Sequence, residues 1–545
     1  MVIPSASKLW LLMTYAVVVM ADAIIRIKQK RHRRKTRPEL LERANNPSVI
    51  RYCSYNQEIY GKPVGDRRAV VLMDCFPIPI WVAANSLLAN CLAERHQATI
   101  CSYGNTERDP YADALYNSFN CRDHFVVALS REERKRRRAL FCSVVGRLKT
   151  NHDLFNLEID GVQIGDEIYE TYLGQFNKPT VDVRTLRCKY SIFVGLTYFI
   201  YFESFFKRNR VAAAVLSHDI YTPMGIPAKI AWKNRVPVFL ANGHEMKRTL
   251  NPNDKNQEFR RYSEYFGLLS KEDQGIGLDW ARGQLGKRLG GQVGVDMGYS
   301  TKSAFVGERL ARQTSLSGKT KVVIATHCFF DNPRAYGGSL FIDYREWLSF
   351  LGQISEVTDY EWYIKTHRDY LPGTLETIRE IIKEHPKLQL IDSNTSWHQL
   401  QEEGVSVALT SYGSIGHELP LLGLKVINAG YNPHVAYAFN WHPQTIEEYR
   451  DLLMGLPTLG VVREPDKVYE FYFVHYRLAK EGGFLFDSFS DMQTYVAQDV
   501  HSVLILDKVV AEGRDLQDRA RSIIHCFIDS EGFSVGELLL YKSHK

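Results

Sequence analysis

The chain has 545 residues, of which 45% are hydrophobic, 12% aromatic and 24% charged. That composition excludes wholesale disorder, collagen-like repeats and a polytopic membrane protein. The net charge of +6 is local: nine of the 68 Lys and Arg residues, but only Asp22 among the acids, lie in the first 37 positions. The rest is near neutral, so the overall basicity is no sign of nucleic-acid binding, and no nucleic-acid partner is expected.

Taken in chain order, the first element is the apolar stretch LWLLMTYAVVVMADAII (Leu9–Ile25), followed by the basic run RIKQKRHRRKTR. Seventeen residues are marginal for a span, which needs about 20, and the same stretch suits a helix lying in the interface. Positive charges after the apolar stretch argue against a cleaved signal peptide and place the downstream chain in the cytoplasm. Residues 9–37 are therefore expected to meet an anionic membrane surface.

Parallel α/β patterning begins with AVVLMDCF (Ala69–Phe76), a helical IWVAANSLLANCLAERH and the strand ATICSYG. The run REERKRRR (Arg131–Arg138) reads as an exposed helix face, and YSIFVGLTYFIYFESFF (Tyr190–Phe206), interrupted by Glu203, as a buried helix. The pattern resumes with VAAAVLSHD (Val211–Asp219) and VPVFLANG (Val236–Gly243). A second set comprises KVVIATHCF (Lys321–Phe329), EWYIKTH, LQLID, VSVALTS and LKVINAG. The expected organisation is an anchor over 1–37, a Rossmann-like domain over 38–300, a linker over 301–320, a second Rossmann-like domain over 321–480, and helices over 481–545. Nine scattered cysteines without a C-x-x-C pair exclude a disulfide framework or structural zinc site, and suit a reducing compartment.

Ligands of open α/β sheets sit outside the carboxyl ends of the strands. In TSYGSIGHE a strand ends in hydroxyl and glycine residues and a helix begins. Ser411, Gly413, Ser414 and Gly416 thus form a candidate phosphate cradle at a helix N-terminus. Lys365 and His367, ending the preceding strand, add charge and donors, and Glu418 is placed to accept from a ribose or base. The same residues also read as an ordinary helix cap and a satisfied histidine.

The order of VVIATHCFFDNPRAYGGSLFIDYREWL, EWYIKTHRDY, SVALTSYGSIGHELPLLGLKVINAG and FNWHPQTIEEYRDLL resembles the bacterial capsule and surface-polysaccharide glycosyltransferases of GT-B fold, including Kdo-transferase-like capsule proteins. DGVQIGDEIYETYLGQFNKPTVD (Asp160–Asp182) is similar to their acceptor-side segments. The resemblance covers most of 60–455. It implies two doubly wound domains facing across a cleft, with a nucleotide-sugar donor held by the second through a Lys-x-His-Pro motif and a Ser/Thr/Gly-rich loop with a following Glu. Lys365 and His367 match the first motif; Ser411, Gly413, Ser414 and Glu418 match the second. Arg368 stands where the family has Pro, and Trp441–His442–Pro443 departs from a Gly-Phe-Thr-type run.

The function so implied is a membrane-associated, cytoplasm-facing glycosyltransferase. It would move a hexosyl- or Kdo-type sugar from a nucleotide donor, possibly CMP-linked, to a lipid-linked or other surface glycan. His327 joins the donor-side residues. Candidates for a base are Asp219, His244, Glu245 and Asp331, with Asp74 also near a strand end; any one of them alone reads more readily as a structural cap than as a base. No D-x-D pair sits at a strand end, so metal-independent transfer without a cofactor is expected. Rival readings are a CDP-polyol phosphotransferase of teichoic-acid type, which releases CMP, and a non-catalytic scaffold of the same fold.

Overall fold

The computed structural model describes residues 6–61, 69–241, 245–254, 256–297, 302–330, 332–368, 370–461 and 464–480. Beyond these it describes 485–486, 495, 499, 501–530 and 532–536. The strands, in chain order, are β1 (Ala69–Asp74), β2 (Ala98–Gly104), β3 (Asp123–Val126), β4 (Glu158–Ile159), β5 (Val162–Gln163), β6 (Val211–Leu216), β7 (Val238–Ala241) and β8 (Met246–Thr249). They continue with β9 (Lys321–Ala325), β10 (Glu361–Lys365), β11 (Leu388–Leu390), β12 (Val405–Thr410) and β13 (Lys425–Asn428). Each Val/Ile/Ala-rich run is a strand because β-branched and small residues suit a pleated surface covered on both faces.

The chain divides into two compact units. The first comprises 1–176, 181–254 and 481–539; the second 177–180, 255–480 and 540–545. The first unit carries the sheet order β3-β2-β1-β6-β7-β8, parallel except for β8, which pairs antiparallel with β7. The second carries β11-β10-β9-β12-β13, parallel throughout. Each sheet starts in the middle, runs to one edge, then returns and runs to the other. That is the doubly wound Rossmann order, with its switch point between β1 and β6 in the first unit and between β9 and β12 in the second. The fold is α/β with two such sheets, as the alternation of apolar strands and helical patterns implied.

The boundaries differ from the expected ones in three places. The second unit begins at Lys255, not after a linker at 301–320. Residues 302–320 have no helix or strand but are knitted into it: the backbone N–H groups of Gln313 and Thr314 donate to Glu403 Oε2 at 2.9 and 2.8 Å, and Phe305 is buried. Most of the segment is exposed, and these bonds hold its backbone to the second unit. The chain after 480 returns to the first unit. There the Leu504–Asp529 helix packs on the helices Pro47–Tyr60 and Pro79–His96, with Tyr60 Oη donating to Gln517 Oε1 at 3.0 Å. The Pro79–His96 helix is apolar nearly all round and so needs cover on both sides.

The basic stretch at the start is one helix, Ala6–Ala44, long and apolar enough over Leu9–Ala44 to cross a membrane by length and composition. The aromatic run forms the buried Leu186–Arg208 helix, and the REERKRRR run opens the Arg131–Arg147 helix. In the latter Arg137 is buried, with its guanidinium 3.7 Å above the Phe193 ring and donating to Thr197 Oγ1 at 2.8 Å. Asp166 and Glu167 of the acidic Asp160–Asp182 segment are also buried; Lys229 neutralises both, at 3.0 Å from Glu167.

Candidate functional site

The second unit holds a cavity of about 290 Å³ at the carboxyl ends of β9, β10 and β12, the switch-point position. Strand geometry sets its floor. Thr326 and His327 follow β9, Lys365 ends β10 with Thr366 and His367 after it, and Thr410 ends β12 before Tyr412, Gly413 and Ser414. The Thr326 N–H donates to the Lys365 carbonyl at 3.0 Å, tying the first two ends together. Four cations line the cavity (Arg288, Lys302, Lys365 and Arg368) against one acid, Glu418. Six aromatic rings, among them Tyr336, Trp397, Tyr412 and Phe471, supply apolar wall.

Lys365 is buried, its ammonium donating to the Ser393 carbonyl at 2.7 Å. Burial, helped by the nearby Arg368 guanidinium, brings its pKa down to about 7. An anion entering the cavity would restore the charge. His327 donates to or accepts from Thr410 Oγ1 at 2.9 Å and lies between Tyr344 and Tyr412, at 5.3 and 4.5 Å between ring centres. Burial, then His367, lowers its pKa to about 4, so it is a neutral hydrogen-bonding group at pH 7. His417 is buried and lines the cavity with neither ring nitrogen hydrogen-bonded, and burial likewise lowers its pKa to about 4. Unpaired buried donors and acceptors of this kind are costly and find partners in a ligand or water.

Of the donor-side residues expected from the sequence, His327, Lys365, His367, Gly413, Ser414 and Glu418 all line the cavity, with His367 exposed. Ser411 and Gly416 do not line it. Ser411 is buried beneath Gly430, whose Cβ would meet its Oγ at 2.8 Å. Gly416 is a packing glycine: a Cβ there would meet His434 Nε2 at 2.4 Å.

The expected phosphate cradle also changes character. The helix after the loop is a single turn, Ile415–Glu418, continued as a tighter turn over Leu419–Leu422, so its dipole is small. The Gly413 N–H is spent on Thr410 Oγ1, and those of Gly416, His417 and Glu418 on carbonyls within the loop. Arg288, Lys302, Lys365 and Arg368 supply the site's formal positive charge. Glu418 is likewise engaged. Arg288 Nε donates to its Oε1 at 2.8 Å and Nη2 reaches the same oxygen, while Ser414 Oγ donates to Oε2 at 3.1 Å.

Sequence reasoning missed Arg288, His417 and Tyr412. Arg288 lies 130 residues from Glu418 on the Lys271–Leu289 helix, in a segment assigned to the other domain, and no local signal marks it.

The first unit has its own switch-point cluster. Asp74 ends β1 and accepts from the Ser217 N–H at 3.1 Å on each oxygen, and from the Ser217 hydroxyl. His218 Nδ1 lies 3.1 Å from Ser217 Oγ, continuing the chain of polar groups. Burial raises the Asp74 pKa to about 6. The His218 ring sits against Phe76 and Trp81 at 5.6 and 6.0 Å. Asp219 is buried next to it. Glu245 is paired with Lys247 at 3.1 Å, and His244 and Asp331 lie outside the described residues. Among the described residues no group of three or more His, Cys, Asp or Glu is placed to hold a metal ion.

No family model matches the chain, and no curated protein matches it. Solved structures do resemble it, at low similarity. They include the beta Kdo 2,4 transferase KpsC of Thermosulfurimonas dismutans, with 12% identity over 48% of this chain and 79% of that one, at a TM-score of 0.27. The UDP-GlcNAc 2-epimerase of Neisseria meningitidis, bound to UDP-GlcNAc, has 10% identity over 81% and 99%, at 0.20. Anabaena HepE, in complex with UDP and glucose, has 10% identity over 82% and 100%, at 0.21. Likeness of this size carries no argument about activity, and the site stands on its own residues.

Proposed function

We propose that the protein is a glycosyltransferase that uses a nucleotide-sugar donor and is attached to a membrane by its first helix. The observation that carries this reading is the switch-point cavity of the second unit, with four cations, one acid already paired to one of them, and aromatic walls. An aromatic base joined to an anionic diphosphate matches that lining in both parts. Lys365, Lys302 and Arg368 would take up the charge that grows on the departing phosphate, so no metal is required for that role. Neutral His327 and the Ser414 hydroxyl would fix phosphate or ribose oxygens by hydrogen bonds.

For the acceptor, the Asp74–Ser217–His218 chain is the best candidate to remove a hydroxyl proton. His218 would take it and the Asp74 carboxylate, through Ser217, would steady the charge. Sugar rings stack on aromatic faces, which Trp81 and Phe76 offer beside His218. The acceptor would be a lipid-linked or surface glycan, consistent with an anchored chain.

A thermal-shift panel of CMP, CDP, UDP, GDP and ADP tests the donor site, because a ligand bound only by the folded state raises the melting point. Selective stabilisation by one base is expected. No response to any nucleotide, together with no sugar transfer from the matching donors, would reject the reading in favour of a scaffold. Release of CMP with transfer of phosphate would instead assign a polyol phosphotransferase.

A further inference from the structure

The first helix is apolar enough to cross a bilayer, yet its packing argues for a different placement. Its side chains divide into two stripes. Trp10, Met13, Val17, Met20, Ile24 and Ile27 recur at alternating spacings of three and four and are all exposed, Met13 by 62% and Met20 by 58%. The same spacing continues into Arg31 and Arg34, also exposed. The opposite stripe is docked on the first unit. Leu11 lies against Gly146, the Tyr15 ring meets Phe141 and Phe193 at 5.3 and 5.9 Å, and Val18 is fully buried. Farther along, Arg33 donates to the Glu107 carbonyl and Arg43 covers the Tyr111 ring at 4.5 Å.

The helix is thus held along its length, and its neighbour is charged. Leu11 beside Gly146 and Tyr15 beside Arg137 set the Arg131–Arg147 helix antiparallel to it. The exposed Arg134, Lys135 and Arg138 therefore run alongside the middle of the apolar stretch. A docked helix that crossed a bilayer would carry those cations into hydrocarbon, where they are the costliest side chains to place. Undocking it would uncover Phe141 and Phe193, both buried. The stripe from Trp10 to Ile27 is also only about 26 Å long at 1.5 Å per residue, short of the roughly 30 Å core.

We infer that the first helix lies in the plane of an anionic bilayer, dipping the Trp10–Ile27 stripe among the acyl chains and setting Arg31 and Arg34 against the headgroups, while its other face stays docked on the first unit. Charge identifies the occupant of the exposed stripe: apolar side chains that pass without a break into a basic run match an apolar layer bounded by anionic headgroups. This placement rests on the membrane attachment proposed above and on no part of the catalytic reading. It leaves the first unit against the headgroup layer, where a lipid-linked acceptor presents its sugar.

The test uses the full chain with an N-terminal epitope tag and vesicles of phosphatidylcholine, with and without phosphatidylglycerol. The chain is expected to float with the anionic vesicles. Replacing Met13 and Met20 by Glu together should lower the bound fraction at least about tenfold, with unchanged melting. Arg31→Glu with Arg34→Glu should weaken binding to anionic vesicles and leave binding to neutral ones as it was. Protease added outside wild-type vesicles should remove the tag completely, whatever the variants do. A protected tag, with binding intact, would overturn the in-plane placement alone. Equal binding to both vesicle types would overturn the headgroup contact, and no binding to either would overturn membrane attachment itself.

Discussion

At the residue scale, Lys365 and Glu418 show how burial converts sequence motifs into chemistry. Lys365 has a folded pKa near 7 against an ordinary 10.5. Above about pH 10.5 it is neutral whether folded or not, and it costs nothing. As pH falls toward 7 the unfolded chain holds a proton that the folded chain resists, so stability is lost as pH falls through the folded value. Lys365→Met is therefore expected to raise the melting point of the empty protein at and below neutral pH, by about 1–2 °C for each kcal/mol relieved. It should also weaken nucleoside diphosphate binding about tenfold or more, and a variant that binds as wild type would remove Lys365 from the phosphate site. The same linkage predicts proton uptake when the diphosphate binds just above pH 7. Calorimetry in two buffers of different ionisation heat reads it directly, and equal heats would rule out a titrating Lys365.

Glu418 behaves differently. Its partner Arg288 is buried with it, so Glu418→Ala strands a guanidinium and should cost about 3–5 kcal/mol of stability. Denaturant midpoints of Glu418→Ala and of Arg288→Met with Glu418→Leu would show it, the double variant being the more stable. Lost activity in Glu418→Ala alone would thus say nothing about contact with a ribose.

At the element scale, the Leu504–Asp529 helix is the clearest case of a segment whose place is set by what it covers. It closes the apolar face of the Pro79–His96 helix, and Arg521 forks onto Glu94 at its rim. It is kinked at Gly513, whose φ of 57° with ψ of −131° is open only to glycine. Nothing lies within 4 Å of the position a Cβ would take there, so Gly513→Ala should be destabilising through the backbone alone, by about 1–3 kcal/mol. Thermal unfolding measures that loss. An unchanged melting point would mean the helix runs straight in solution.

At the scale of the whole molecule, the two doubly wound sheets each bring polar groups to their own switch point, one rich in cations and the other built around a carboxylate. That division predicts a split between binding and turnover. Asp74→Asn should leave nucleotide affinity unchanged and lower transfer about tenfold or more, because it removes the carboxylate that steadies the His218 base through Ser217. Steady-state kinetics beside a binding isotherm would separate the two. Loss of nucleotide binding in Asp74→Asn would overturn the assignment of donor and base to different units.

The sequence by itself determined nine of the thirteen described strands, which make the centres of both large sheets, and most of the residues expected to meet at the second sheet's carboxyl edge. Apolar runs of strand length bounded by polar turns are local signals, and a β-strand's carboxyl end is a local address. Lys365, His367, Gly413, Ser414 and Glu418 could be placed because each lies at, or within eight residues of, a strand end that periodicity marks. The tertiary structure alone decided what each of those side chains meets. Arg288 reaches Glu418 across 130 residues, the chain after 480 returns to the first unit, and the amides of Gly413, Gly416, His417 and Glu418 are spent on groups of their own loop. Such contacts follow from how apolar faces find cover and buried charges find partners. Both are set by surfaces far apart in sequence, on which a local pattern carries no information.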